Sequence, residues 1–430
     1  MNKKNFKSLS FIITTILIGS VLSGCGASSS STSKSGTKGE TVNLTLWDHN
    51  EPYSTADQKI IDLFNKKNPN IKITVENKGE QYDTLLNTAI QAGDAPDIFW
   101  SNGNKDNKLS SIVKNGGAMD LTDKIDLTKY NTNAQAILFL KDAAGKNKLY
   151  VTPGATIDTR VIYYHKDIFK KYGIKVPNTL AEFETACDTL LKNGVTPMSL
   201  GEKSSWDILF TLEPIIAGVS PDWLDEAVAG KAKINDPRLL KALKKYEEWK
   251  KKGYFTNNGL GSDATAATLN FAKKNAAMII NGSWLVSDIK SSNPDVDLGA
   301  FQMPMVKGGK SMVVTYSVGW SGYAKTKHPA EVLKYLQFAA SVEAQQAFVT
   351  STGSVPGIAS LKANDQLTKD MGTANRQVDS FYSIIGYRAK EGSNPRKLWE
   401  DDSSKWVGGK ITAQDLIKEL DAVQDYSKKR

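Results

Sequence analysis

Between residues 42 and 100 the spacing of apolar positions changes period four times. Val42, Leu44 and Leu46 alternate with polar residues, the two-residue period of a half-buried strand, and the run ends at Trp47-Asp48-His49-Asn50-Glu51. Ile60, Ile61, Leu63 and Phe64 recur at helical spacing as far as Asn68-Pro69, where proline stops the helix. Ile71, Ile73 and Val75 predict a second strand, and Tyr82, Leu85, Leu86, Ala89 and Ile90 a second helix. Gly93-Asp94-Ala95-Pro96-Asp97 then breaks that helix ahead of a third strand, Ile98-Phe99-Trp100, with Asp94 and Asp97 as turn and capping residues. This order predicts an α/β sheet, whose ligands sit beyond the carboxyl ends of its strands. Loops 47–54 and 100–107 are the first candidates for a binding surface, with Trp100 packed beneath its loop.

The alternation continues downstream. Arg160 to His165 reads as a strand, Lys166 to Tyr172 as a helix, and Asn178 to Leu191 as a helix whose start, Asn178-Thr179 with Glu182 behind it, carries N-capping chemistry. Lys241–Lys251, Ala264–Lys273 and Pro329–Phe348 also have helical spacing. No fixed-period repeat is present, which argues against a solenoid or propeller.

The first 40 residues have a different character. Lys3, Lys4 and Lys7 precede an apolar run, Phe11 to Leu22, and small residues then lead into Cys25. This is the three-part pattern of a secretory signal, and its apolar run falls short of the roughly 20 residues that a membrane-spanning helix needs. Leu22-Ser23-Gly24-Cys25 resembles the lipobox of bacterial lipoproteins. That resemblance implies that residues 1–24 are removed and that Cys25 carries the lipid, two acyl chains giving stable anchoring. Residues 25–40, rich in serine and threonine, read as a flexible tether.

The roughly 400 residues that follow exceed one core and predict two domains. A hydrophobic fraction of 40% and a charged fraction of 23% are those of a soluble globular protein. The formal charge of +9 includes the three signal lysines, so +6 remains after processing. The excess is diffuse, since Glu247 and Glu248 interrupt the lysines of 244–252, and nucleic-acid binding is not indicated. With Cys25 lipidated only Cys187 is left, which excludes an intrachain disulfide or a cysteine metal cluster and places that thiol in the core. His49, His165 and His328 are dispersed without metal-ligand spacing, so no metal or cofactor is expected.

Several segments together resemble one family. Leu44-Thr45-Leu46-Trp47, Phe64-Asn65-Lys66-Lys67-Asn68-Pro69-Asn70-Ile71-Lys72 and Gly93-Asp94-Ala95-Pro96-Asp97-Ile98 look like the opening of the extracellular solute-binding proteins (family 1) of bacterial ABC sugar importers, with a distant likeness to the family's maltose binders. Tyr163-Tyr164-His165-Lys166-Asp167-Ile168-Phe169, Thr179-Leu180-Ala181-Glu182-Phe183 and Lys274 to Trp284 extend the resemblance to almost all of the chain from residue 41. His165 and Leu180 stand where the family usually has asparagine and tryptophan, departures that bear on local packing.

The resemblance implies a two-lobed periplasmic-binding-protein type II fold, each lobe a mixed sheet flanked by helices. Residues 41–155 and 317–365 are expected to form lobe one and 156–316 and 366–430 lobe two, with crossings near Thr152–Ala155, near Val313–Ser317 and before residue 366. It also implies a sugar ligand, ABC permease subunits as partners, and a monomer held by its lipid at the outer face of the cell membrane; the spread of aromatic residues favours an oligosaccharide, and the long Ser/Thr-rich tether a Gram-positive cell. A sugar ring offers apolar C–H faces and a rim of hydroxyls, so its receptor needs flat aromatics with carboxylates and amides. Trp47, Trp206, Trp284, Trp320 and Trp399, read as loop residues, supply candidate platforms; Glu51, Asp158 and Glu202 with Asn102 and Asn104 supply the polar contacts. Trp47 is equally suited to cap the first strand's core, and Asp158 and Glu202 to be solvated surface carboxylates. The competing readings are a surface-anchored glycoside hydrolase, which needs two carboxyls at a set separation, and a sugar receptor for a sensor kinase. No Gly-x-Ser-x-Gly elbow serves a catalytic serine.

Overall fold

The computed structural model describes residues 41–427 except 50, 106, 107, 131 and 364. The side chains of 51–54, 80, 132 and 133 are outside that description, as are residues 1–40, on which the signal, tether and Cys25 expectations fall.

Among the described residues the strands gather into two main sheets. The first has four strands in the order Trp320–Gly322, Ile98–Trp100, Val42–Asp48, Ile71–Asn77. Val42–Asp48 runs parallel to both neighbours, with Leu46 opposite Val75 on one side and Ile98 on the other. The chain therefore leaves this strand toward one neighbour and later returns on its other side. The carboxyl ends of Val42–Asp48 and Ile98–Trp100 flank the resulting switch point, where α/β sheets bind their ligands. The alternation at Val42, Leu44 and Leu46 buries Leu44 and Leu46 beside Phe64, Ile98 and Phe99 in one core.

The second sheet has seven strands. Its spine runs Met303–Pro304, Lys310–Val318, Pro153–His165, Ala276–Gly282, Thr196–Ser199; Arg376–Asp379 pairs with Lys310–Val318, and Leu298–Phe301 with Pro153–His165. Its core includes Phe183, Cys187, Trp223, Trp249 and Trp399. Ala276–Gly282 is buried at every position, as a central strand covered on both faces must be.

Two long strands carry the chain between the sheets. Pro153–His165 and Lys310–Val318 are antiparallel with Asp158 opposite Thr315, and their register shifts between Tyr316 and Val318. Beside them Thr152 and Trp320 of the first sheet are joined, the Thr152 N–H donating to the Trp320 carbonyl at 2.9 Å. The third passage lies alongside, where the Gly357 N–H donates to the Ala155 carbonyl at 2.8 Å and that of Ile157 to Val355 at 2.9 Å.

Local differences from the sequence reading have local causes. The first helix already begins at Glu51, so residues 51–54 are helix and not loop. The stretch 329–348 holds one helix, Pro329–Ala339, and the start of a second, Val342–Thr352, because the Ser341 hydroxyl accepts the Ala344 N–H at 3.3 Å and caps a new start. Thr179 and Glu182 form the reciprocal capping box that opens Leu180–Lys192. His165 is fully buried, its ring stacked 4.2 Å from Phe271 and Nε2 2.8 Å from that residue's carbonyl oxygen. Burial also holds its pKa below the usual histidine value. No helix among the described residues is long and apolar enough to cross a membrane.

Candidate functional site

The strand Pro153–His165 brings two charged groups, Asp158 and Arg160, to one face, because residues two apart on a strand point the same way. Asp158 accepts the Thr156 hydroxyl at 3.0 Å, and its other oxygen lies 3.7 Å from the Lys105 ammonium. Lys105 belongs to the turn Gly103–Lys105 that follows the first sheet's third strand, so this ion pair joins the two lobes. Glycine is required in that turn: residue 103 has φ +61°, and a Cβ there would stand 2.4 Å from the Ile137 carbonyl oxygen.

Arg160 lies under an aromatic strip. Its guanidinium is 4.4 Å from the Phe210 ring and 5.4 Å from that of Trp284, and Nε donates to Glu213 Oε2 at 2.8 Å. Trp284 sits in the turn Ser283–Leu285 that ends the buried strand Ala276–Gly282, its ring lying so close to Gly282 that a Cβ there would be 2.1 Å away. Trp206 and Phe210 occupy helix Ser205–Val219 four residues apart, hence on one face. Tyr382 arrives from helix Phe381–Tyr387, near the other end of the chain. Ring centroids follow one another at 4.8 Å from Tyr382 to Trp206, 5.8 Å to Phe210 and 5.3 Å to Trp284.

A cavity of 320 Å³ opens beside this strip. Asn102 and Lys108 line it from the first lobe, and Trp206, Tyr382, Arg396 and Glu400 from the second. The Tyr382 hydroxyl donates to Glu400 at 2.9 Å, and the Arg396 guanidinium covers the Tyr382 ring at 5.0 Å. Lys105, Asp225, Thr315, Gln377, Asp379 and Ser383 line a second cavity of 240 Å³. Next to Trp206 lies Asp207, whose carboxyl burial pushes up to about 7, against the opposing hydrogen bond from Asn281. At the first sheet's carboxyl edge His49 stacks on Trp100 at 3.6 Å, with Nδ1 3.0 Å from Asp48. Rings flanked by amide, guanidinium and carboxylate groups suit a ligand with flat apolar faces and polar edges.

The candidates from sequence are distributed unevenly around this site. Trp206, 40% exposed, and Asn102 line the cavity, Trp284 ends the strip, and Asp158 stands on the strand between the lobes. Trp47 is half-buried against the first core under the Lys78 ammonium at 4.2 Å. Glu51 opens its helix, but its side chain lies outside the described residues. The Asn104 amide donates to the Ala136 and Phe139 carbonyls at 2.6 and 3.2 Å, tying its turn to that segment.

Three of the proposed ligand contacts need correction. Trp399 is not in a loop but in helix Pro395–Val407, 1% exposed against Phe381 and Trp406. Trp320 is a strand residue buried in the first core. Glu202 is neither surface nor cavity lining; it is 2% exposed and accepts from the Tyr246 hydroxyl at 3.0 Å and from Lys250 inside its own lobe. Phe210, Tyr382, Arg396 and Arg160 are site residues that the sequence reading misses. Only Phe210 carries a local signal, its four-residue spacing from Trp206.

Comparison with known proteins agrees with this architecture. The model of the family described as bacterial extracellular solute-binding protein matches residues 47–346. An uncharacterized ABC transporter extracellular-binding protein of Pyrococcus horikoshii is 28% identical over 83% of this chain and 81% of its own length. The multiple sugar-binding protein of Streptococcus mutans is 24% identical over 89% of this chain and 90% of its own. Among solved structures, the solute-binding protein RafE in complex with raffinose superposes with a TM-score of 0.70 at 24% identity, covering 89% of this chain and 98% of that one.

Proposed function

The chain belongs to the bacterial extracellular solute-binding proteins, and from that premise we propose that it captures an oligosaccharide between its two lobes and delivers it to an ABC permease. The observation that carries the sugar reading is the strip Tyr382, Trp206, Phe210, Trp284 beside a cavity lined from both lobes. Trp206 and Tyr382, the two rings that line the cavity, each offer a platform for one sugar face, and 320 Å³ lies within the range of about 300–1,000 Å³ of small-molecule sites. The similarity to a multiple sugar-binding protein over 89% of the chain supports the same ligand class. Asn102 contributes from lobe one, Asp158 from the hinge, and Trp206 and Trp284 from lobe two.

In this reading the protein releases its sugar unaltered. The lobes exchange chain near residues 155, 317 and 365, and closure about that hinge reports occupancy to the permease. Cys25 carries the lipid anchor, which keeps the monomeric receptor at the outer face of a Gram-positive membrane. A thermal-shift panel tests the ligand class. A preferred trisaccharide should raise the melting temperature in proportion to the logarithm of its concentration, whereas amino acids and peptides leave it unmoved. A shift with an amino acid or peptide alone refutes the sugar reading, and hydrolysis products after long incubation refute the carrier.

A further inference from the structure

We propose that the buried pair Arg160 and Glu213 positions the lobe-two platform and so sets the preference for longer sugars; this rests on reading the strip as the sugar platform. Arg160 is 6% exposed and the Glu213 side chain 0%. Desolvating two charges costs about as much as their attraction returns, so a buried pair is weak evidence for stability. Its contacts point to positioning.

Glu213 Oε2 accepts from Arg160 Nε, while Oε1 accepts the Ser380 hydroxyl and the Tyr382 N–H, the latter at 3.1 Å. One carboxylate thereby fixes the first turn of helix Phe381–Tyr387 and the residue that carries the outermost ring. The Arg160 guanidinium in turn lies over Phe210 and Trp284. Its Nη1 is buried and has no hydrogen-bond partner among the described residues, so part of the donor capacity is given up while the cation keeps its place over the rings. Three rings from segments far apart in sequence meet in this pair, and the fourth, Trp206, rests on two of them. A planar cation under Phe210, on which Trp206 rests, and linked through Glu213 to Tyr382 fixes the spacing of the two platforms that line the cavity. A short sugar needs one platform; a longer one needs their spacing.

The test is calorimetric titration of the full chain with raffinose and maltotriose and with the disaccharides melibiose and maltose. Arg160→Met should weaken the preferred trisaccharide at least tenfold and its disaccharide by less than threefold, while Arg160→Lys restores part of the loss. Leu190→Ala, a cavity in the same lobe's core at helix Leu180–Lys192, a helix that carries none of the four rings, controls for stability: it should lower the melting temperature and leave both affinities within twofold. If Arg160→Met fails to fold, Glu213→Gln carries the same comparison, with the trisaccharide again losing more. Equal losses for both sugar lengths, or an Arg160→Met affinity within twofold of the parent, overturn the positioning role. A parent protein that binds none of these sugars overturns the platform reading and this inference together.

Discussion

Asp207→Asn should change how stability depends on pH. Asp207 is 4% exposed in the first turn of helix Ser205–Val219; Asn281 donates to one carboxyl oxygen at 3.2 Å, and the other is buried without a hydrogen-bond partner among the described residues. Burial first, and the charge of Asp263 second, raise its pKa from 3.8 to about 7, with the Asn281 hydrogen bond opposing them. Because the folded value lies above the unfolded one, the group's stabilising contribution is complete below pH 3.8 and is lost as pH rises to about 7. At about 1.36 kcal/mol for each pH unit, that rise amounts to about 4 kcal/mol. Asparagine keeps the shape and an oxygen for Asn281 but does not titrate. The difference in unfolding free energy between variant and parent should therefore grow in the variant's favour by about 4 kcal/mol from about pH 4 to about pH 8. Guanidinium unfolding followed by circular dichroism at one-unit steps measures it, since the other titrating groups are common to both proteins and cancel. A difference that stays constant across that range refutes the assignment of a buried, raised carboxyl.

Other changes separate cavity from core. Trp206→Ala should cost about 1 kcal/mol of sugar affinity with little change in melting temperature, whereas Trp399→Ala, in the core, should cost about 3–5 kcal/mol of stability; equal melting curves for the two variants contradict this placement. Lys105→Met removes the interlobe pair with Asp158, worth about 1 kcal/mol at this partly exposed site. The unliganded protein should then populate a more open form, with a larger radius of gyration by small-angle scattering, and unchanged scattering counts against the pair as a latch. Cys187 is fully buried and burial pushes its thiol pKa up, so thiol reagents should leave it unmodified until denaturant is added.

Much of the first sheet is legible because its strands are covered unevenly: alternation at Val42, Leu44, Leu46 and at Ile71, Ile73 is the imprint of one buried face. Helix Ser205–Val219 leaves no such imprint. Asp207 to Gly218 is buried almost throughout, and a helix covered on all sides has no polar stripe to betray its period. That is why Trp206 reads as a loop residue. Trp399 reads the same way for a different reason. Its helix has an exposed side, where Lys397 pairs with Asp401, but its apolar positions are few and the surrounding charges give the segment the look of a surface loop. For the site, tryptophan chemistry singles out Trp206 and Trp284, but Tyr382 and Arg160 reach the strip only through long-range chain return. The spacing of those rings is a property of the packed lobe, and sequence distance hides it.

The most direct measurement is isothermal titration of the purified protein with a panel of di- and trisaccharides, alongside single amino acids, a short peptide and zinc. Capture in an aromatic cleft predicts saturable binding of at least one oligosaccharide at one site per chain, with a negative heat-capacity change as the ring faces are buried, and no heat from the other solutes. Binding of an amino acid, peptide or metal in place of every sugar contradicts it.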